Sequence, residues 1–408
     1  MLTFEDQLAT TPSALEEYIS LPVLGGDLLV FEGPFTLNSG EKECVILGKV
    51  FYSFCEKIEL LFEGETVIKN PLDWIGNKAD INADDNISGE ALVLQIQGER
   101  IKGFIYHLEN KQSIACERFR WCYLNAPKIF GDNVKRRRNI SMDRLVFQAG
   151  DYQIIYENAE GYQEQKNRRA ISHICELIRR DGRPISTEAA LEEIRLFSRF
   201  VSFFAGCQHA PFFIEGVNGG DVLFQFQANG LDDSLISVST WKPFLHDKDL
   251  VSLWPLFRAK RYESDDQYDV LNTLVHWYLQ ANMNRGRLEG ACILAFAGLD
   301  LASEEIVRKS LSNREVVNDF FSRLNLNVPI SANEIADMRN QLAHYRKDNR
   351  VKYNALSFND KVFRLEIIMQ ILELAILYWL GYEGRYSNRF GSKWKGASVE
   401  RVPWLLAN

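Results

Sequence analysis

The sequence predicts an α+β multidomain protein, with a β-rich N-terminal domain, an α+β middle domain and a C-terminal all-α helical bundle. Three observations carry this. From about residue 25 to 130, short runs alternate apolar with polar side chains between turn-forming clusters, the period of strands with one covered face. Between residues 144 and 245, strand-like runs flank one stretch in which Ala190, Ile194, Phe197, Val201 and Phe204 keep a helical period. From residue 253 to 381 the apolar positions follow a helical period throughout, and short connectors make an up-down bundle. The expected divisions are a sandwich or barrel-like domain at 1–140, an α+β domain at 141–250, the helical domain at 251–384 and a basic tail at 385–408.

Taken in order, strands are expected at 27–31, 44–52, 57–62, 91–96, 102–106 and 113–123, and the Asn- and Asp-rich stretch 78–88 reads as a loop. Lys135, Arg136, Arg137 and Arg138 form a solvated connector, or a contact for RNA, near a domain boundary. Residues 144–156 read as strand, 170–179 as strand or short helix, and 187–204 as helix with Ser186 as its cap. Strands follow at 211–217, 222–227 and 234–240. Helices are then expected at 270–281, 288–299, 304–324, 331–348 and 360–380.

A chain of 408 residues is long for a single core, and 46% hydrophobic with 25% charged residues suits a globular fold with little disorder. The net charge of -8 excludes a protein that coats nucleic acid by bulk electrostatics, so any RNA contact must come from local basic clusters. Seven scattered cysteines do not make a disulfide framework and point to a reducing cytosol. Residues 1–20 carry acids where a signal peptide needs an apolar centre. The most apolar stretch, 362–382, is interrupted by Arg364, Glu366, Gln370 and Glu373, so no membrane span is expected and the location is cytoplasmic.

Residues 331–348 read as one helix whose start is fixed by a capping box of Ser331 and Glu334, with Ile335, Met338, Leu342 and Tyr345 as the buried face. At about 100° per residue from Ile335, the apolar stripe centres near about 310°, Arg339 falls at about 40°, Asn340 at about 140° and His344 at about 180°. The imidazole thus faces away from the core, one turn from Asn340, with the long Arg339 side chain at the flank. Histidine exchanges protons near neutrality, and a guanidinium suits a phosphate gaining charge in a transition state, with no metal required. Spacing alone leaves open a surface histidine beside an ion-paired arginine. Arg346, Lys347, Arg350 and Lys352 follow directly, either to steer a phosphate backbone or to complement a helix C-terminus.

The run Arg339-Asn340-Gln341-Leu342-Ala343-His344 resembles the Arg-x4-His motif of HEPN ribonucleases. The helix at 288–300, apolar with Glu289 and Asp300 near its ends, resembles that family's second helix. Residues 170–175, 180–186, 200–206 and Trp241 are similar to the N-terminal region of ApeA-type anti-phage proteins. The resemblance implies a HEPN-like bundle and a homodimer or higher homo-oligomer with facing motifs. It also implies metal-independent endoribonuclease activity in abortive infection, giving a 2′,3′-cyclic phosphate, with tRNA as the first substrate and a phage-derived trigger. Arg339, Asn340 and His344 are then the catalytic set. The alternatives are a catalytically inactive HEPN-like RNA- or nucleotide-binding module and a protein-interaction scaffold.

Cys116, Cys122 and the pair Cys207 and His209 lack the spacing of a zinc site, and no P-loop or dinucleotide fingerprint is present, so neither metal nor cofactor is expected. His173, His209 and His246 read as structural. Arg385, Arg389, Lys393, Lys395 and Arg401 interleave with Trp394 and Trp404 in the tail, a pattern that suits either single-stranded RNA or a docked terminus.

Overall fold

The computed structural model describes residues 27–53, 59–66, 74–83, 87–110, 113–135, 140–159, 171–228, 240–243, 246–308, 311–326, 328, 330–344, 346–390 and 398–405. The chain forms two compact units. The first comprises Met1–Phe147, Asp151–Ser198 and His209–Leu235, and the second comprises Gln148–Gly150, Arg199–Gln208 and Ile236–Asn408. The β-rich N-terminal part and the helical C-terminal part are as the patterning predicts.

In the first unit, β1 (Leu28–Ser39), β2 (Lys42–Ser53), β3 (Glu59–Thr66), β4 (Lys78–Asn82), β5 (Ile87–Gln97) and β6 (Arg100–Asn110) form one antiparallel system. A further pairing of β3 with β6 closes it, Leu61 facing Phe104 and Glu65 facing Arg100, so the six strands make a barrel. Alternation decides which side fills it: Cys44 and Ile46 are buried while Val45 and Leu47 face out. The curvature needs backbones to approach closely. Gly33, Gly48 and Gly64 sit in register on neighbouring strands, and a Cβ on Gly48 would lie 2.1 Å from the Glu63 carbonyl oxygen. The stretch expected as a loop from residue 78 instead begins with β4, which pairs with β1 and β5 despite its Asp and Asn content.

The first unit also contains β7 (Ala115–Cys116), β8 (Arg118–Leu124), β9 (Asp132–Lys135), β10 (Ile140–Ala149), β11 (Tyr152–Asn158), β12 (Ile171–Arg179), β13 (Ile185–Ser186), β14 (Phe212–Asn218) and β15 (Asp221–Ala228), the last pairing with the other half of β6. Of these, β7 and β13 form a separate small pair; the large sheet runs β6, β15, β14, β8, β12, β11, β10, β9. The division expected near residue 140 falls between β9 and β10, which pair antiparallel in one sheet. The helix α1 (Thr187–Ala205) starts under the Ser186 hydroxyl, which accepts the Ala189 N–H, and its Phe197 ring packs edge-on against Trp121 and Phe147. Cys116, Cys122, Cys175 and His173 are buried. Residues 234–239 of the expected strand at 234–240 and the basic run at 136–138 lie outside the described residues, and Thr240 is not in a strand.

The second unit contains α2 (Lys248–Glu263), α3 (Asp265–Met283), α4 (Leu288–Val307), α5 (Asn313–Arg323), α6 (Ala332–Ala343), α7 (Lys347–Ala355) and α8 (Phe358–Trp379). An unbroken run of α8, from Ile367 to Leu377, is buried, including the polar Gln370 and Glu373. Gly298 on α4 admits the Leu372 side chain, which a Cβ there would meet at 2.9 Å. Two expected helices are different in the structure. The one at 304–324 is the end of α4 and, after a break, α5, which begins at its own capping box of Ser312 and Glu315. The one at 331–348 is split into α6 and α7. The helices α2 and α7 were not separately expected.

The tail is docked. β16 (Arg385–Ser387) pairs with β17 (Val399–Arg401), and a short 3-10 turn, Pro403–Leu405, follows. Arg385 pairs with Asp249 at 3.3 Å and stays part-exposed, while buried Arg389 pairs with Glu373 and Glu366, which takes Arg389 off any RNA-binding surface. Lys393, Trp394 and Lys395 lie outside the described residues. Among the described residues, no helix is long and apolar enough to cross a membrane.

Candidate active site

The motif helix α6 owes its start to local chemistry. The Ser331 Oγ accepts the Glu334 N–H at 3.3 Å, the Glu334 carboxylate accepts the Ser331 N–H at 3.1 Å, and Ile335, Met338 and Leu342 supply the buried face. The Arg364 guanidinium on α8 donates to the Glu334 carbonyl at 2.8 Å, tying the first turn to the core helix. The end comes earlier than the sequence pattern implies. His344 still donates its N–H to the Asn340 carbonyl, but its φ of -111° and ψ of 67° leave the helix. Its carbonyl accepts from the Arg346 N–H at 2.6 Å and the Asn349 Nδ2 at 2.6 Å, which fixes the break.

Arg339 and Asn340 line a cleft of about 620 Å³ together with Asp300, Ser303 and Glu304 of α4 and the start of α5. Asn340 accepts from the Asn313 Nδ2 at 3.3 Å, which joins α6 to α5. Arg339 is half-buried and makes no hydrogen bond or ion pair among the described residues. Its charge is nonetheless felt along α4. Burial raises the Asp300 carboxyl above the usual range, with Arg339 opposing the rise and Glu304 adding to it. Burial pushes the Cys292 thiol to about 12, again against the pull of Arg339.

His344 is exposed and is not part of the cleft wall. The wheel placing it beside Asn340 on a continuing helix is therefore corrected, because the backbone turns at His344 itself. The basic group is also placed differently. Arg346 is the N-cap and Lys347 the first residue of α7, both exposed, and Lys352 lies in its last turn. The dipole at a helix start disfavours cations, so the explanation of Arg346 and Lys347 as dipole partners of a C-terminus no longer applies. Arg350 is on α7, its side chain outside the described residues. The helix is held by buried Tyr353, whose hydroxyl donates to Glu289 at 2.8 Å and whose ring lies 4.1 Å from the Lys361 Nζ.

Ser303, Asn313 and Arg314 are cleft residues that the sequence reading did not single out. The signal was the Ser312-Asn313-Arg314-Glu315 capping box, which marks a helix start inside what read as one helix. Among the described residues, no cluster of three or more His, Cys, Asp or Glu side chains is placed to hold a metal ion.

Two stretches are similar to known families: residues 111–233 match the YopA central domain, and residues 312–400 match the YopA C-terminal domain. The second stretch spans α5 to α8 and includes the whole Arg-x4-His run. Over 98% of this chain and 99% of the other, the sequence is 24% identical to an SPbeta prophage-derived uncharacterized protein, YopA, of Bacillus subtilis strain 168. No solved structure matches the chain.

Proposed function

We propose that the protein is a metal-independent RNA endonuclease of HEPN type, acting in anti-phage defence. The observation that carries the reading is Arg339, a half-buried guanidinium without hydrogen-bond or ion-pair partner among the described residues, on the wall of a polar cleft. A cation held at such a site has its solvation partly removed and gains most from an incoming phosphate. In the reaction, the ribose 2′-hydroxyl attacks the adjacent phosphorus and the 5′-oxygen leaves, giving a 2′,3′-cyclic phosphate. Arg339 stabilises the charged phosphorane. Asn340, held by Asn313, orients the phosphate. His344, exposed and solvated just past the helix, moves the protons.

A homodimer with facing motifs suits this arrangement. Val351 on α7 and Phe358 at the start of α8 are 63% and 70% exposed, an apolar pair shortly after the motif for a second copy to cover. Arg346 and Lys347 would then draw a phosphate backbone toward the site. Single-stranded loops, as in tRNA, are the first substrates to try, because their bases can be splayed. The position of His344 outside the cleft wall favours a second reading, an RNA-binding module without catalysis.

Expression in bacteria challenged with phage separates the two. Arg339→Ala and His344→Ala are each expected to abolish toxicity and protection while leaving the circular dichroism spectrum unchanged. Full protection by both variants would overturn the cleavage reading and favour an interaction scaffold.

A further inference from the structure

The start of α5 also lines the cleft, and the cleavage step described above does not use it. The first N–H groups of a helix have no intrahelical acceptor. Here the Ser312 N–H is taken by Glu315 at 2.8 Å, while those of Asn313 and Arg314 have no acceptor among the described residues. A separate observation comes from α4. Ser303 is 2% exposed, lines the same cleft, and its hydroxyl has no partner among the described residues. A buried hydroxyl left unpaired is costly, so one on a cleft wall points to an acceptor supplied from outside. The Arg314 guanidinium is also available: Asp337 stands 3.9 Å away and both side chains are more than half exposed.

We propose that this part of the cleft is a second phosphate subsite, in which the α5 N-terminus, the Ser303 hydroxyl and the Arg314 guanidinium hold the phosphodiester next to the one Arg339 faces. The charge balance allows it. Asp300 and Glu304 line the cleft, but Arg314 and Arg339 match them and the helix start adds roughly half a positive charge. The inference rests on the cleavage reading for its substrate, an RNA strand, and specifies that the strand must present two consecutive phosphates.

The test uses the full chain and a fluorescent single-stranded DNA ten-mer, which lacks the 2′-hydroxyl and cannot be cut by the proposed route. Ser303→Ala and Arg314→Ala are each expected to weaken its binding about tenfold. Arg314→Ala is also expected to reduce the slope of log affinity against log salt by about 0.7. Wild-type affinity in both variants, or no binding by the wild-type protein, overturns the subsite. RNA incubated with the same proteins keeps the two readings apart. If no protein cuts RNA but DNA affinity still drops in the variants, the subsite stands and the cleavage reading falls. If RNA is cut with an unchanged KM in both variants, cleavage stands and the subsite falls.

Discussion

Arg389 donates through Nε and Nη2 to the two carboxylate oxygens of Glu373, at 2.8 and 2.6 Å, with both side chains 1% exposed. The same carboxylate accepts the Tyr278 hydroxyl at 2.8 Å and the Trp241 N–H at 3.2 Å, and Arg389 also reaches Glu366 at 2.9 Å. One side chain from the tail thus completes a polar network inside the helical unit. Removing one member of a buried pair leaves the other charge uncompensated. Arg389→Ala is expected to destabilise the helical unit by about 3–5 kcal/mol, whereas Arg389→Met combined with Glu373→Met regains most of the loss. Urea unfolding followed by tryptophan fluorescence measures both.

The cleft carboxyl gives a pH prediction with a definite sign. Asp300 has its pKa raised in the folded state, chiefly by burial, so folding favours its protonated form. Its contribution is full below the ordinary aspartate value and is lost as pH rises through the raised one. Asp300→Asn is therefore expected to flatten the rise in melting temperature that the wild-type protein shows on acidification through that window. An identical profile in the two proteins would contradict the burial of this carboxyl.

Two glycines separate a packing role from a merely permissive one. Gly48→Ala puts a methyl against the backbone of β3 and is expected to destabilise the barrel unit by about 3 kcal/mol or more. Gly290→Ala, in the first turn of α4 with open space around it, is expected to stabilise by up to about 1 kcal/mol. Thermal melts of the two variants should move in opposite directions.

What could be read from the sequence was local. The period of Ile335, Met338 and Leu342 gave a helix with the correct buried face, whereas Cys44 to Leu47 are all apolar, so a strand was legible there but its buried side was not. Closure of the barrel depends on Leu61 meeting Phe104 across 43 residues, a pairing that neither strand encodes alone. β4 escaped because its Asp80 and Asn82 favour turns, and its neighbours on both sides override that preference. Arg339 and Asn340, singled out by the motif, both line the cleft, but the turn at His344 was not legible. No glycine or proline marks it, and the donors that hold it, Arg346 N–H and Asn349 Nδ2, follow in sequence without any stop signal. Which acids hold Arg385 and Arg389 was not legible, because Asp249 and Glu373 lie on distant helices.

If Arg339 and His344 cleave RNA together without metal, end-group analysis of RNA incubated with the purified protein in EDTA will reveal it. Fragments ending in 2′,3′-cyclic phosphate are expected, reduced at least about 100-fold by Arg339→Ala and by His344→Ala. Cleavage that requires added magnesium, or that survives both substitutions at the wild-type rate, would contradict it.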